Sequence, residues 1–409
     1  MSQLTKELRV CLDIGSVKHR VGIGFSDGEI FDEFDLNHES QEIKKFFSKI
    51  EQLEKQHQMP VVFAMEGYGG YARPIDQMCL KKKYKLMNVN NMKLARFKEI
   101  FPGPAKSDPI DVRKMFELFK LQEALPAAKG VLQEVFVIPE ENRKLQLFSR
   151  RRRELVTERA AVLNRMQTDL HAIAPGLLSI TKQTSNLWFL NFLTFCDSIE
   201  KLPRLRRKSL LNIKGVGQKY ADMIQEWQKN ASFSPDVSWN GQMIIRDAKR
   251  ILQLNQEISE LEKLMEGLIS QSQIATRILS IGGFGLVCAA ELAGEIGTLD
   301  RFPSEASLAL YIGMAVLDKQ SGKYHGSRTP RHVNWRAKGA MMVGMDRHRK
   351  INLESQKYYE KKRSEGKKHN QAIRALGRHM VRVIYSMIKN DRDYIAKDMS
   401  SECCFKKTG

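Results

Sequence analysis

The sequence predicts an α/β domain followed by an all-α region, and three observations predict it. Through Val89 the chain alternates short β-rich runs with stretches of helical spacing. Beyond about residue 140 the β-rich runs give way to long helical periodicities. Acidic residues also close two of the early β-rich runs, where an open sheet gathers its ligands. Taken in order, residues 9–13, 21–25 and 29–35 are β-rich and separated by Gly, Ser and Asp turns, the pattern of adjacent antiparallel strands. Ile43, Phe46, Phe47, Ile50 and Leu53 then recur at helical spacing, residues 60–65 form a buried strand, 71–82 a helix and 84–89 a fifth strand. Three strands followed by alternating helix and strand is the order of the ribonuclease-H-like fold.

Four carboxylates stand out within this region: Asp13 in Val10-Cys11-Leu12-Asp13-Ile14-Gly15, Glu66 closing Val61–Glu66, and Asp108 and Asp111 in Lys106-Ser107-Asp108-Pro109-Ile110-Asp111. Each has a local explanation. Asp13 and Glu66 precede glycines that would end a strand in a turn. Asp108 suits an N-cap, Pro109 the first helical position, and Asp111 the positive end of the helix dipole. Residues three apart share a helix face, however, so capping and a shared metal are compatible. Two strand-borne acids and a helical acid pair make an all-oxygen donor set for hard divalent cations, Mg²⁺ or Mn²⁺, in phosphodiester chemistry. Asp13 and Gly15 ahead of Gly22 and Gly24 also suit the phosphate loop of actin-like ATPases, but that reading requires a second Asp-Gly loop and an adenosine motif that the later half lacks.

Arg150, Arg151, Arg152 and Arg153 open a helical stretch with Leu155, Val162, Met166, Leu170 and Ile173 on one side. These arginines fit a solvated face or a phosphate backbone equally. Ile244, Ile251, Leu254, Ile258, Leu261, Met265 and Leu268 follow a heptad spacing, predicting a coiled coil formed within one chain or across a dimer. Residues 175–240 between the two stretches hold Trp188, Trp227 and Trp239 and read as an inserted helical subdomain. It contains Ile213-Lys214-Gly215-Val216-Gly217, and the pattern returns as Ile281-Gly282-Gly283-Phe284-Gly285. Gly-apolar-Gly between short helices is the helix-hairpin-helix signature, whose exposed N–H groups suit DNA phosphates; a glycine-tight helix contact explains it as well. For the second copy a role in building the site, rather than a direct grip on DNA, is expected. Downstream, a basic stretch at 347–368 is expected to touch nucleic acid in part, and Ile373, Leu376, Met380, Val383 and Met387 follow at core spacing.

Composition points to the partner. The net charge is +20 and the pI about 9.6, which favours phosphate polyanions and disfavours an ordinary near-neutral enzyme. No apolar run reaches membrane-span length and no signal-peptide pattern opens the chain, so a cytoplasmic protein with no membrane role is expected. The six cysteines lack metal-binding or disulfide spacing and read as reduced packing residues.

With the upstream acids, residues 279–345 carry a resemblance: Leu-Ser-Ile-Gly-Gly-Phe-Gly, Ala289–Ile296, Phe302, Ser307–Gly313, Ser321-Gly322-Lys323, and Arg328 through Gly339. Together they resemble the DEDD transposases of the insertion-sequence-110 family, which also includes the pilin-gene invertase. Two departures are the inserted segment near 175–240 and a basic motif present only as Arg336-Ala337-Lys338-Gly339. The resemblance implies a RuvC-like ribonuclease-H domain (1–140), a coiled-coil region (141–272) holding the insertion, and a mainly α-helical transposase domain (273–409). It implies metal binding by Asp13, Glu66, Asp108 and Asp111 and a nucleophilic serine matching Ser321, with Ser327 as the fallback. Lys319, Lys323 and Arg328, with Arg150–Arg153, would contact nucleic acid. The implied partners are double-stranded DNA, a structured noncoding bridge RNA and further copies of the chain in a homodimer or tetramer. The implied activity is DNA cutting and rejoining by an insertion-sequence recombinase; the alternatives are a RuvC-like endonuclease that uses water and a non-enzymatic nucleic-acid-binding protein.

Overall fold

A computed structural model describes residues 6–66, 70–89, 108–125, 130–322, 324–328, 330 and 333–396. The chain divides into two compact units, 1–137 and 138–409. The first is built on a six-stranded sheet of β1 (Leu8–Asp13), β2 (Lys18–Phe25), β3 (Ile30–Asn37), β4 (Val61–Glu66), β5 (Lys85–Val89) and β6 (Leu132–Glu134) in the order β3-β2-β1-β4-β5-β6. β1, β2 and β3 pair antiparallel, β1–β4 and β4–β5 parallel, and β6 closes the edge antiparallel to β5. This mixed sheet with helices is compatible with the ribonuclease-H-like expectation, and the five expected strands are present. The sixth, three residues long, has no sequence signature.

The two faces of the sheet separate by residue parity. Leu8, Val10, Leu12, Phe63 and Met65 point to one face, where they pack with Ile43, Phe46, Phe47 and Ile50 of α1 (Ser40–His57) and with Ile75 and Cys79 of α2 (Arg73–Lys81). Cys11, Val62 and Ala64 point to the other, under Val112, Met115, Phe116 and Phe119 of α3 (Asp108–Ala124). Each fully buried aromatic or aliphatic side chain contributes about 1.5–3 kcal/mol. Gly22 and Gly24 are the seat of α3: a Cβ on Gly22 would lie 2.5 Å from Val112 Cγ1, and one on Gly24 3.0 Å from Phe116 Cε1. Close helix approach therefore accounts for the two glycines that a phosphate loop would also have used.

The second unit is helical. α4 (Glu140–Ile173) and α8 (Val237–Ile269) lie antiparallel within the chain, since Arg152 pairs with Glu262, Arg159 with Asn255 and Arg165 with Asp247. Leu155, Val162, Met166 and Leu170 face Ile244, Ile251, Leu254 and Ile258 in one core, whereas Leu261 and Leu268 are only half-buried. Between the long helices come α5 (Leu187–Leu193), α6 (Arg207–Leu211) and α7 (Gln218–Lys229), which share that core through Trp188, Phe189, Phe192, Leu210 and Trp227; Trp239 is 60% exposed.

The remaining elements are α9 (Gln273–Leu279), α10 (Leu286–Ile296), α11 (Glu305–Ile312), a ribbon of β7 (Leu317–Ser321) and β8 (Tyr324–Arg328), α12 (Trp335–Ile351), α13 (Leu353–Ser364) and α14 (His369–Lys389). They enclose a second core that includes Ile278, Leu292, Ile312, Met341, Ile373 and Ile384. Ser272, Ser304 and Asn334 cap α9, α11 and α12 by accepting backbone N–H groups. Of the residues expected at core spacing in α14, Val383 is instead 37% exposed. Cys11, Cys79 and Cys288 are buried free thiols, as packing residues should be, while Cys403 and Cys404 lie outside the described residues. Among the described residues no helix is long and apolar enough to cross a membrane.

Candidate active site

Asp13 and Glu66 are direct partners in the parallel β1–β4 register, each the last residue of its strand. Parity puts both on the α3 face: Asp13 with Arg9 and Cys11, Glu66 with Val62 and Ala64. The direction of α3 follows from its contacts. Val112 packs on Gly22, which is level with Cys11; Phe116 packs on Gly24, level with Arg9; and Glu123, near the far end, pairs with the Arg9 guanidinium. α3 thus runs antiparallel to β1. Stepping back one turn from Val112 to Asp108 is a rise of about 6 Å, and stepping forward from Cys11 to Asp13 is also about 6–7 Å. The helix therefore begins at the end of the sheet, and on the face, where Asp13 and Glu66 lie. The side chains of Asp108 and Asp111 lie outside the described residues. Among those described, no group of three or more His, Cys, Asp or Glu comes together to hold a metal.

The row continues across the sheet. Asp13 is opposite Arg20 on β2, and Arg20 opposite Asp35 on β3. Arg20 donates to Asp35 Oδ1 and Glu33 Oε2, both at 3.1 Å. Arg113, on α3, grips the same Glu33 through Nε (2.8 Å) and Nη2 (3.2 Å). Arg113, together with Arg20, holds the Glu33 carboxyl below the ordinary glutamate range against the opposing effect of burial. This Arg20–Glu33–Arg113 clamp ties the start of α3 to the sheet and sets a cationic group beside the acid row. Sequence reading missed it, because its members lie 13 and 80 residues apart and carry no local pattern.

In the helical unit, Ser321 ends β7 and is paired with Tyr324 across a tight turn through Gly322, whose φ of +56° is a conformation that favours glycine. Its side chain and that of Lys319 lie outside the described residues, as does Lys323 altogether. Ser327 and Arg328 are exposed on β8, with Ser327 opposite Asp318.

Arg150–Arg153 have internal partners. Arg150 forms a bidentate pair with buried Glu295 (2.7 and 2.8 Å), and Arg153 one with Glu291 (2.7 and 2.6 Å). Arg152 binds Glu262 at 2.7 Å and Arg151 binds Glu154 at 3.3 Å. Burial alone would push the Glu295 carboxyl up, but Arg150 and Asn334 bring it below the ordinary range. These pairs flank the crossing of α4 and α10 at Gly294, where a Cβ would lie 2.5 Å from the Gln146 nitrogen. Arg150, Arg152 and Arg153 fasten helices, a role that neither sequence reading anticipated because their partner glutamates lie more than 100 residues away, whereas Arg151 stays on a solvated face.

Comparison with known proteins bears on both units. Residues 10–175 match the DEDD transposase family of IS110, and residues 275–360 match the family described as Transposase IS116/IS110/IS902. The chain is 30% identical to the 42 kDa protein of insertion element IS900 of Mycobacterium paratuberculosis over 46% of this chain and 47% of that one. It is 23% identical to the 43.6 kDa protein of insertion element IS110 of Streptomyces coelicolor, over 76% of this chain and 77% of the relative. It is also 23% identical to the 44.8 kDa protein of insertion element IS116 of Streptomyces clavuligerus, over 96% and 97%. The match thus spans about half the length of the first of these relatives and nearly all of the third.

Proposed function

Because the chain belongs to the IS110 family of insertion-element transposases, we propose that it is a site-specific DNA recombinase that cuts and rejoins strands through a phosphoserine link. The observation that carries this reading is the alignment of Asp13 with Glu66 at one sheet end, on the face where the helix of Asp108 and Asp111 begins. An all-oxygen set on two strand ends and a helix start fits a hard cation. The four acids would hold Mg²⁺ or Mn²⁺, which when bound supplies charge neutralisation at the reacting phosphate.

The other steps belong to the chain. The Ser321 hydroxyl attacks phosphorus, the P–O bond to the departing strand breaks, and that strand leaves with its oxygen protonated. A phosphodiester is exchanged for a phosphodiester, so the reverse attack by a new strand's hydroxyl rejoins DNA without an added energy source and frees the serine. Gly322 leaves room for the backbone of the substrate, and Lys319, Lys323 and Arg328 offset charge on the pentavalent phosphorus. The +20 charge suits a chain that holds duplex DNA with a structured bridge RNA as guide, in a dimer or tetramer.

The test is a suicide DNA substrate incubated with the full chain and Mg²⁺, followed on a denaturing gel. The parent should form a covalent adduct whose peptide contains Ser321, and Ser321→Ala should form none. Asp13→Asn and Glu66→Gln should each lower cleavage about a hundredfold or more with folding intact. Undiminished nicking by Ser321→Ala, with no adduct in either protein, would establish water as the nucleophile. Undiminished cleavage by Asp13→Asn would remove the acid site from the mechanism.

A further inference from the structure

The inserted subdomain carries a surface that the proposed chemistry does not use. Between Lys201 and Lys219 stand seven Lys or Arg residues and no Asp or Glu. Two are neutralised from outside the run, Lys201 by Asp197 and Arg207 by Asp222. Arg204, Arg206, Lys208, Lys214 and Lys219 are exposed and have no carboxylate partner among the described residues. They lie just before α6 (Arg204 and Arg206), on α6, on the glycine turn and on the first turn of α7. α6 is only five residues long, so the whole set lies within a few helical turns. Like charges at such spacing repel, and no ion pair among the described residues offsets them.

The basic stretch at 347–368 is different: Arg349 and Lys350 pair with Asp346, and Lys362 and Lys367 with Glu365. The turn itself is open. Lys214, Gly215 and Gly217 are exposed, and no atom lies within 4 Å of a Cβ built on Gly217. Residues 201–219 contain no Phe, Tyr or Trp, and the adjoining half-buried Tyr220 has one face stacked on Trp188, so the surface offers little for stacking unpaired bases. What remains is an array of cations suited to the backbone of a duplex without readout of its sequence.

We propose that the glycine hairpin of residues 204–219 grips the phosphate backbone of a DNA duplex during recombination. The identification of the partner as DNA rests on the transposase reading above.

The experiment measures equilibrium binding of the full chain to a random-sequence DNA duplex over a salt series. Two triple variants are compared with the parent: Lys208→Gln with Lys214→Gln and Lys219→Gln, and a control that removes the same charge elsewhere, Lys44→Gln with Lys249→Gln and Lys263→Gln. Each lost phosphate contact lowers the slope of log K against log salt by about 0.9. The hairpin variant should therefore lose about 2–3 units of slope and on the order of tenfold in affinity at physiological salt, while the control keeps the parental slope. Equal losses in the two variants, or an unchanged slope in the hairpin variant, would overturn the proposal. So would a loss confined to an RNA duplex of matching length. A parent that binds no DNA at any salt would instead bring down the transposase reading, and this proposal with it.

Discussion

Gly215 and Gly283 have nearly the same backbone, φ +90° and +95°, and each stands two residues before an extended glycine that opens a helix. The turns match bond for bond. Val216 N–H donates to Ile213 O and Phe284 N–H to Ile281 O, both at 3.0 Å. Their surroundings are opposite. Around Gly283 the backbone of α12 closes in, Ile351 lies over Gly282, and the nearby Arg277 is occupied by Asp391 and Asp393. Around Gly215 Trp188 packs closest, Asn191 donates to Lys214 O, and cations without a carboxylate partner among the described residues face solvent. A motif thus specifies a turn, while its neighbours decide whether the turn is a structural joint or a surface for another molecule.

Three measurements sharpen or break this contrast. The largest effect is expected from Gly283→Ala, whose Cβ would lie 2.5 Å from the His348 nitrogen and 2.7 Å from its Cα. Left-handed strain of about 1–2 kcal/mol adds to overpacking of about 1–3 kcal/mol. Gly215→Ala meets Trp188 Cβ at 3.0 Å and its Cα at 3.3 Å, looser contacts than those at Gly283, and should lose less. Urea unfolding of both variants decides, and equal losses would mean that the two joints are equally closed.

The next effect is pH dependence confined to the second hairpin. His348 is buried, and its Nδ1–H donates to Gly282 O at 2.6 Å. Burial lowers its pKa from the ordinary 6.5, outweighing the opposing effect of that bond. A depressed folded-state pKa means that the unfolded chain binds the proton more readily. The stability from neutral His348 is therefore complete above about pH 6.5 and is lost as pH falls toward the folded-state value. His348→Gln keeps a donor but cannot titrate, so the gap in melting temperature between parent and variant should narrow from pH 7.5 to pH 5. A gap independent of pH would show that the joint is not held by this histidine.

The smallest effect is one the hairpins should share. Gly217 and Gly285 have φ of −93° and −76° and open space where a Cβ would go. Alanine at either should change stability by less than about 0.5 kcal/mol. A larger loss at one position alone would mean that the turns differ in more than their surroundings.

The strands of the first unit were legible because alternation and turn residues are local signals, and Asp13 and Glu66 stood out because strand-ending acids follow the same rule. The start of α3 was legible to within one residue: the reading put the N-cap at Asp108, and the helix begins there. Long-range pairing was not. The Glu33 clamp and the Arg150–Glu295 and Arg153–Glu291 pairs join residues far apart in sequence, and nothing beside an arginine announces its partner. The β7–β8 ribbon escaped an otherwise helical reading because its strands are polar, contain glycine and pair with each other in a two-stranded sheet.

α4 has a mechanical consequence. It begins against the C-terminal core, where Leu145 is buried, and ends in the core of the inserted subdomain, where Leu170 and Ile173 are buried. Its 34 residues span about 51 Å, roughly the rise of fifteen base pairs of B-form DNA. Braced by α8, it would act as a ruler under the proposed grip, fixing how far along a duplex a hold at residues 204–219 can fall from the helices around the serine ribbon. Deleting two helical turns from both arms of the pair would shorten that spacing by about 11 Å, or about three base pairs, without touching either end.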